Sequence, residues 1–346
     1  MIDSNQLQIL DGLDFGAIDR AAALPGGSVY DVAMQILTGE LDLSLGGVVA
    51  SLLAPLFAEI GVMGALLREL AIIAILSAVL SAVSQNLRSK AVSDLGFYVV
   101  YMIVVALLVD SFMECIFIMR DFAGTLGRLV EAAVPAMISL VLVSGNPTSA
   151  ALFNPLAMFA AGAMQFVIRD IVAPILVFGA VLEIINNLTA REMISRLASL
   201  ARTLLKTGLA ALAGLFAAVL TLHRISAPIV DGAAVRAARF AVNAVPVVGQ
   251  ALSGAVDTAT LWSGAVKNSV LTAVIVVIVM ICIPVIIKLL AFTIAYKITA
   301  ALLEPICDKR VCSAISAAGS LASLALAACA LAAASFVFMV MVMISL

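Results

Sequence analysis

The chain has 346 residues, of which 64% are apolar and 12% charged, with a net charge of −2 and a mean hydropathy of +1.22. A soluble domain carries about a quarter charged residues, so this composition cannot cover a water-exposed core and the solvent must be lipid. Runs such as 270–287 are almost continuously apolar, which excludes a β-barrel with its period-two alternation and leaves an all-α, polytopic helical membrane protein.

Residues 1–42 hold seven acids against Arg20 alone, whereas the remainder carries an excess of bases. Met1 to Asn5 show neither the basic nor the apolar region of a secretory signal. Either such a signal has been removed, or the first downstream helix directs insertion. Residues 1–44 read as an acidic polar segment with short helices, broken at Pro25-Gly26-Gly27. Residues 45–64 are apolar but dotted with Gly46, Gly47, Pro55, Glu59, Gly61 and Gly64, a pattern that suits an interfacial or re-entrant segment. The first clear span is 66–84, followed by a polar loop holding Arg88 and Lys90. A second, 95–119, contains Asp110 and Glu114. Further apolar segments cover 129–144, 152–168, 171–188, 208–223, 270–298 and 315–346.

Two readings stay open at this point. Ile168-Arg169-Asp170-Ile171 is either a turn or an adjacent ion pair inside one long helix kinked at Pro174. The 270–298 segment is either one helix kinked at Pro284 or two short ones. The sequence thus predicts six to eight spans. Loop 189–206, with Arg191, Arg196, Arg202 and Lys206 against Glu192, is expected on the cytoplasmic side, as is the Arg88/Lys90 loop. The acidic N-terminal segment is then expected outside.

Arg128-Leu129 with Ala133-Val134-Pro135 recurs as Arg239-Phe240 with Ala244-Val245-Pro246, an offset of 111. The Pro174 and Pro284 contexts, and Thr189-Ala190 and Thr299-Ala300, repeat at an offset of 110. A repeat of about 110 residues is expected, with halves 121–230 and 231–346 following an interfacial and two-span region at 45–120. Each half would hold an Ala-Val-Pro turn, a proline-kinked helix and a final helix, with function at the interface of the halves.

The most distinctive block holds Asp231, Gly232, Arg236, Arg239, Asn243, Pro246, Gly249, Asp257, Thr258 and Lys267. It is too polar to span, and Pro246 and Gly249 predict a break in helix geometry. It is either a re-entrant hairpin lining a pore or docking a partner, or an amphipathic helix pair at the interface. This block resembles the signature region of the stage III sporulation protein AE family, and the apolar segments fit that family over about 300 residues. Its members are polytopic membrane proteins of endospore-forming bacteria that usually begin with a cleavable signal sequence. The resemblance implies a place, alongside other membrane proteins, in the multi-protein channel joining mother cell and forespore during engulfment, needed for late forespore gene expression. It carries over no catalytic residue.

Other chemistry finds little support. The five cysteines form no CxxC pair and read as small apolar side chains, so no metal or other cofactor is expected. His223 is the one histidine, and there is no P-loop or GxSxG, so enzymatic activity is not expected. No basic patch interleaved with aromatics points to nucleic acid. The charges inside apolar segments are the remaining candidates, because each is costly unless paired or facing water. Asp110 and Glu114, four residues apart, share a helix face. Glu183 and Lys288 could pair if the two kinked helices pack as repeat mates. Small-residue faces near 313–320 favour tight packing within the chain or between copies of it. The main expectation is a non-enzymatic channel component in the cell membrane; the alternative is a stand-alone ion-coupled secondary transporter.

Overall fold

The computed structural model of the chain describes residues 15–22, 28–38, 90–143, 147–188, 194–243, 249–305 and 308–345, with single helical positions at 64, 68, 72, 75 and 79. Within the helices, stretches including 90–95, 152–157 and 222–265 are described by their backbone alone. The expected segments at 45–64 and 66–84 therefore lie almost wholly outside the described residues. Among the described residues every regular element is helical: α1 (Gly16–Ala22), α2 (Val29–Thr38), α3 (Lys90–Val143), α4 (Pro147–Phe166), a π-helical stretch (Val167–Val172), α5 (Ala173–Leu188), α6 (Ser195–Asn243), α7 (Gly249–Leu303) and α8 (Lys309–Ser345).

Several expected spans run together. Segments 95–119 and 129–144 form the single helix α3 of 54 residues. The glycines between them serve packing rather than a turn: a Cβ at Gly127 would stand 3.2 Å from the Gln165 side chain of α4. Pro135 also sits inside α3, so the expected Ala-Val-Pro turn there is helical; its counterpart, Ala244-Val245-Pro246, lies outside the described residues.

Segments 152–168 and 171–188 are joined through the π stretch into one rod, which settles the Arg169-Asp170 question in favour of a continuous helix. The widened turn has a local cause. Pro174 has no N–H and its ring crowds the carbonyl of Asp170, four residues earlier. Ala173 accordingly donates to the carbonyl of Ile168, five residues back. Segment 270–298 lies within the 55-residue α7, with Pro284 in its interior. Boundaries at 120/121 and 230/231 fall inside α3 and α6. Four described helical segments are long and apolar enough to cross a membrane: Tyr101–Leu142, Ser195–Ala218, Val266–Leu303 and Lys309–Ile344.

Specific contacts set how the rods lie. The Tyr101 hydroxyl donates to the Ile184 carbonyl at 2.8 Å, and Gly127 meets Gln165. These two pairs make α3 antiparallel to the α4–π–α5 rod. The hydroxyls of Ser111 and Tyr296 are 2.6 Å apart, which ties α3 to α7. A Cβ at Gly319 would lie 3.0 Å from the Tyr296 Cβ, and Cys282 lies within electrostatic reach of Cys329. Those pairs make α7 and α8 an antiparallel hairpin. Arg310 lies within electrostatic reach of Tyr101, so α8 begins at the end of the bundle where α3 begins and α5 closes.

The acidic N-terminal region contributes two short helices. Asp19 of α1 accepts from the Ser28 hydroxyl (2.8 Å) and the Val29 N–H (2.7 Å), capping α2 from outside. Phe15, Ile18, Val29 and Ala33 are buried with the main core, and α1 and α2 pack on α3 and α7 respectively. The described part of this segment is thus docked on the bundle through its apolar faces.

The glycine contacts make a stability prediction. Gly319→Val forces α7 and α8 apart at Tyr296, and overpacking of this kind costs about 1–3 kcal/mol. Gly162→Ala meets nothing within 4 Å and, inside a helix, gains about 0.5–1 kcal/mol. Thermal unfolding of both variants in detergent checks the pair; equal midpoints would show that the α7–α8 contact is misplaced.

Candidate functional site

The polar block is divided between two helix ends. Asp231, Gly232, Arg236, Arg239 and Asn243 belong to the last turns of α6, which ends at Asn243. Gly249 opens α7, which also carries Asp257, Thr258 and Lys267. The break expected around Pro246 falls in 244–248, outside the described residues, and the side chains of the block up to Ala265 lie outside them too.

Lys267 is the member whose side chain is described. It is 5% exposed, between buried Val266 and Val270, with no ion-pair or hydrogen-bond partner among the described residues. Helix continuity fixes the position of the block along the bundle. Asn243 follows Arg202 by about 40 residues and Gly249 precedes Tyr296 by about 47, some 60–70 Å at the helical rise. The block therefore lies far from the end where α5 closes and α8 begins.

The four intramembrane charges fall into different settings. Asp110 and Glu114 share the exposed face of α3 with Met113 and Phe117, and neither has a partner among the described residues. Lys288 is half-buried on α7. Glu183 of α5 forms an ion pair with Arg202 of α6. Their side chains are 13% and 31% exposed.

Sequence reasoning placed Arg202 in a loop from 189 to 206, but α6 begins at Ser195. The Ile194 N–H donates to the Asn186 side chain at 3.3 Å, holding the start of α6 beside the end of α5. This placement brings residues 183 and 202 together, and continuing the helical pattern back through 195–206 would have exposed the pair. The Arg202 Nε is buried without a partner among the described residues.

Glu183 also borders a crevice between α3, α5 and α8, lined by apolar side chains including Leu108, Phe112, Val177 and Leu321. Its empty volume is about 460 Å³, mouth included. Cys115, Cys282, Cys312 and Cys329 are buried, and the described residues hold no group of three or more metal-ligating side chains. The chemistry on view is ionic pairing and packing.

The sequence model of the family described as Stage III sporulation protein AE matches residues 28–346. The Stage III sporulation protein AE of Bacillus subtilis (strain 168) is 28% identical over 274 residues, covering 79% of this chain and 69% of that protein. No solved structure matches.

The Glu183–Arg202 pair gives a second prediction. Arg202→Met strands a largely buried carboxylate and costs about 1–3 kcal/mol. Adding Glu183→Leu removes the stranded group and restores most of the loss. Unfolding midpoints of the two single variants and the double variant check the coupling; additive losses would show that the two side chains do not interact.

Proposed function

Because the chain belongs to the Stage III sporulation protein AE family, we propose that it is a non-enzymatic membrane component of the multi-protein channel joining mother cell and forespore during sporulation. In this reading it is a multi-pass protein of the mother-cell membrane around the forespore. Other membrane proteins of the complex are its partners. The end of the bundle bearing Arg196, Arg202, Lys206, Lys309 and Arg310 faces the cytoplasm, and the acidic N-terminal segment lies outside.

One observation supports an assembly role over solitary transport. Helices of 54 and 55 residues are about 80 Å long at 1.5 Å per residue. The hydrocarbon of a bilayer is about 30 Å thick. Rods of this length reach well past the lipid and offer protein surface to neighbours. The polar block at the junction of α6 and α7 sits at the end remote from the basic one, where contact with a partner or an aqueous vestibule would satisfy its charges. The offset of 110 residues between the Pro174 and Pro284 rods, each followed by a final helix, fits duplicated halves meeting around such a conduit.

The reading predicts that Gly249→Leu blocks sporulation while membrane insertion and protein level stay normal, because a bulky side chain obstructs close approach at the start of α7. Spore counts with immunoblots of membrane fractions check it. Normal sporulation by this variant would remove the block from the functional surface. Gradient-driven flux by the purified chain alone in liposomes would instead mark a stand-alone transporter.

A further inference from the structure

Arg310 stands at one end of the crevice between α3, α5 and α8. It precedes the lining residues Ala314, Ala318 and Leu321 by one, two and three turns, so the four share a face of α8. Tyr101, within electrostatic reach of Arg310, donates to the carbonyl of Ile184, another lining residue. The crevice opens at Val109, Met113 and Val181, which line it and are exposed. On either side of this mouth the surface stays apolar. Exposed Met102 and Phe117 continue the stripe on α3, and exposed Phe178 and Ile185 continue it on α5. Asp110 and Glu114 lie about 100° further round α3, on the side turned from Leu108 and Phe112 of the lining. A broad apolar patch marks a membrane or protein contact, and the composition makes lipid the solvent of this chain.

From this placement we propose that the crevice holds one acyl chain of an anionic phospholipid, with the phosphate at Arg310. The one ionisable lining residue, Glu183, is engaged by Arg202, so the lining matches an aliphatic chain. A protein segment in its place would bring backbone N–H and C=O groups that apolar walls cannot satisfy. Depth agrees as well. The α8 lining runs from about 6 to about 17 Å beyond Arg310 at the helical rise, and one leaflet of hydrocarbon is about 15 Å thick. At this end the described bases Arg196, Arg202, Lys206, Lys309 and Arg310 outnumber the described acids Glu183, Glu304 and Asp308. Asp308 takes one edge of the Arg310 guanidinium, its Oδ1 lying 3.6 Å from Nε. The excess of bases favours an anionic headgroup, and anionic lipids gather in the cytoplasmic leaflet that the same bases face.

This inference rests on membrane insertion and not on the sporulation reading, so the purified full chain can test it alone. Nanodiscs of equal parts phosphatidylglycerol and phosphatidylcholine supply the lipid, and native mass spectrometry of the chain released into detergent counts what it retains. Wild type is expected to keep one phospholipid per chain, favouring phosphatidylglycerol by about fivefold. Ala318→Leu, which fills the crevice, is expected to retain about tenfold less of either lipid with unchanged helical circular dichroism. Arg310→Gln is expected to keep a lipid and lose the preference. In wild type, phosphatidylglycerol with a photoreactive acyl chain is expected to label 177–184 and 314–321. A wild type released without lipid, as a bare monomer or as a dimer closing the crevice with a second copy, would overturn the proposal. So would a folded Ala318→Leu variant that keeps its lipid, or label that spares both segments. Equal retention of the two lipids by wild type, or an undiminished preference in Arg310→Gln, would remove the phosphate from Arg310. Should Ala318→Leu lose its circular dichroism, the labelled segments of wild type decide.

Discussion

In apolar surroundings each backbone N–H and C=O must find its partner inside its own helix, because no water is present to replace a lost bond. This constraint governs the molecule. Ending a helix exposes four donors or four acceptors, whereas continuing it through a polar or glycine-containing stretch exposes none. The chain continues. Helix α3 runs through Arg120, Asp121, Gly124, Gly127 and Pro135 without ending. The α4–π–α5 rod runs through Arg169, Asp170 and Pro174 by opening one turn to π geometry instead of breaking.

Once the rods are continuous, a few contacts suffice to fix them. The hydroxyls of Tyr101, Ser111 and Tyr296 each find an acceptor or donor on a neighbouring rod. The rest of the core is mostly apolar and non-directional, so these polar contacts select the register. Glycines leave room for a neighbouring side chain at three crossings, opposite Gln165, Leu321 and Tyr296. The Glu183–Arg202 pair ties α5 to α6 near the same end of the bundle.

The sequence made the helical membrane class and most apolar segments legible, because composition and run length report directly on lipid solvation. It did not show that residues 95–119 and 129–144 are one helix. The intervening Arg120, Asp121, Gly124, Gly127 and Arg128 carry the composition of a loop, and the role of the glycines appears only when Gln165 lies against them. Arg202 was hidden for a related reason: a cluster of bases marks a cytoplasmic loop in general, but here most of that cluster rides on the first turns of α6. The Ser111–Tyr296 contact spans 185 residues of sequence, and no local pattern encodes it. Within the candidate block, the buried state of Lys267 depends on tertiary packing that one strand of text cannot reveal.

Continuous rods are what carry the functional account, since their reach beyond the bilayer offers surface to partners. A distance measured along α3 tests that continuity most directly. Spin labels at Val99 and Leu142, both exposed, are separated by about 65 Å in a single unbroken helix. Pulsed electron paramagnetic resonance on the full chain in nanodiscs is expected to return a narrow distribution near that length. A distance of about 30 Å or less, as two spans folded back across one bilayer would give, would contradict the account.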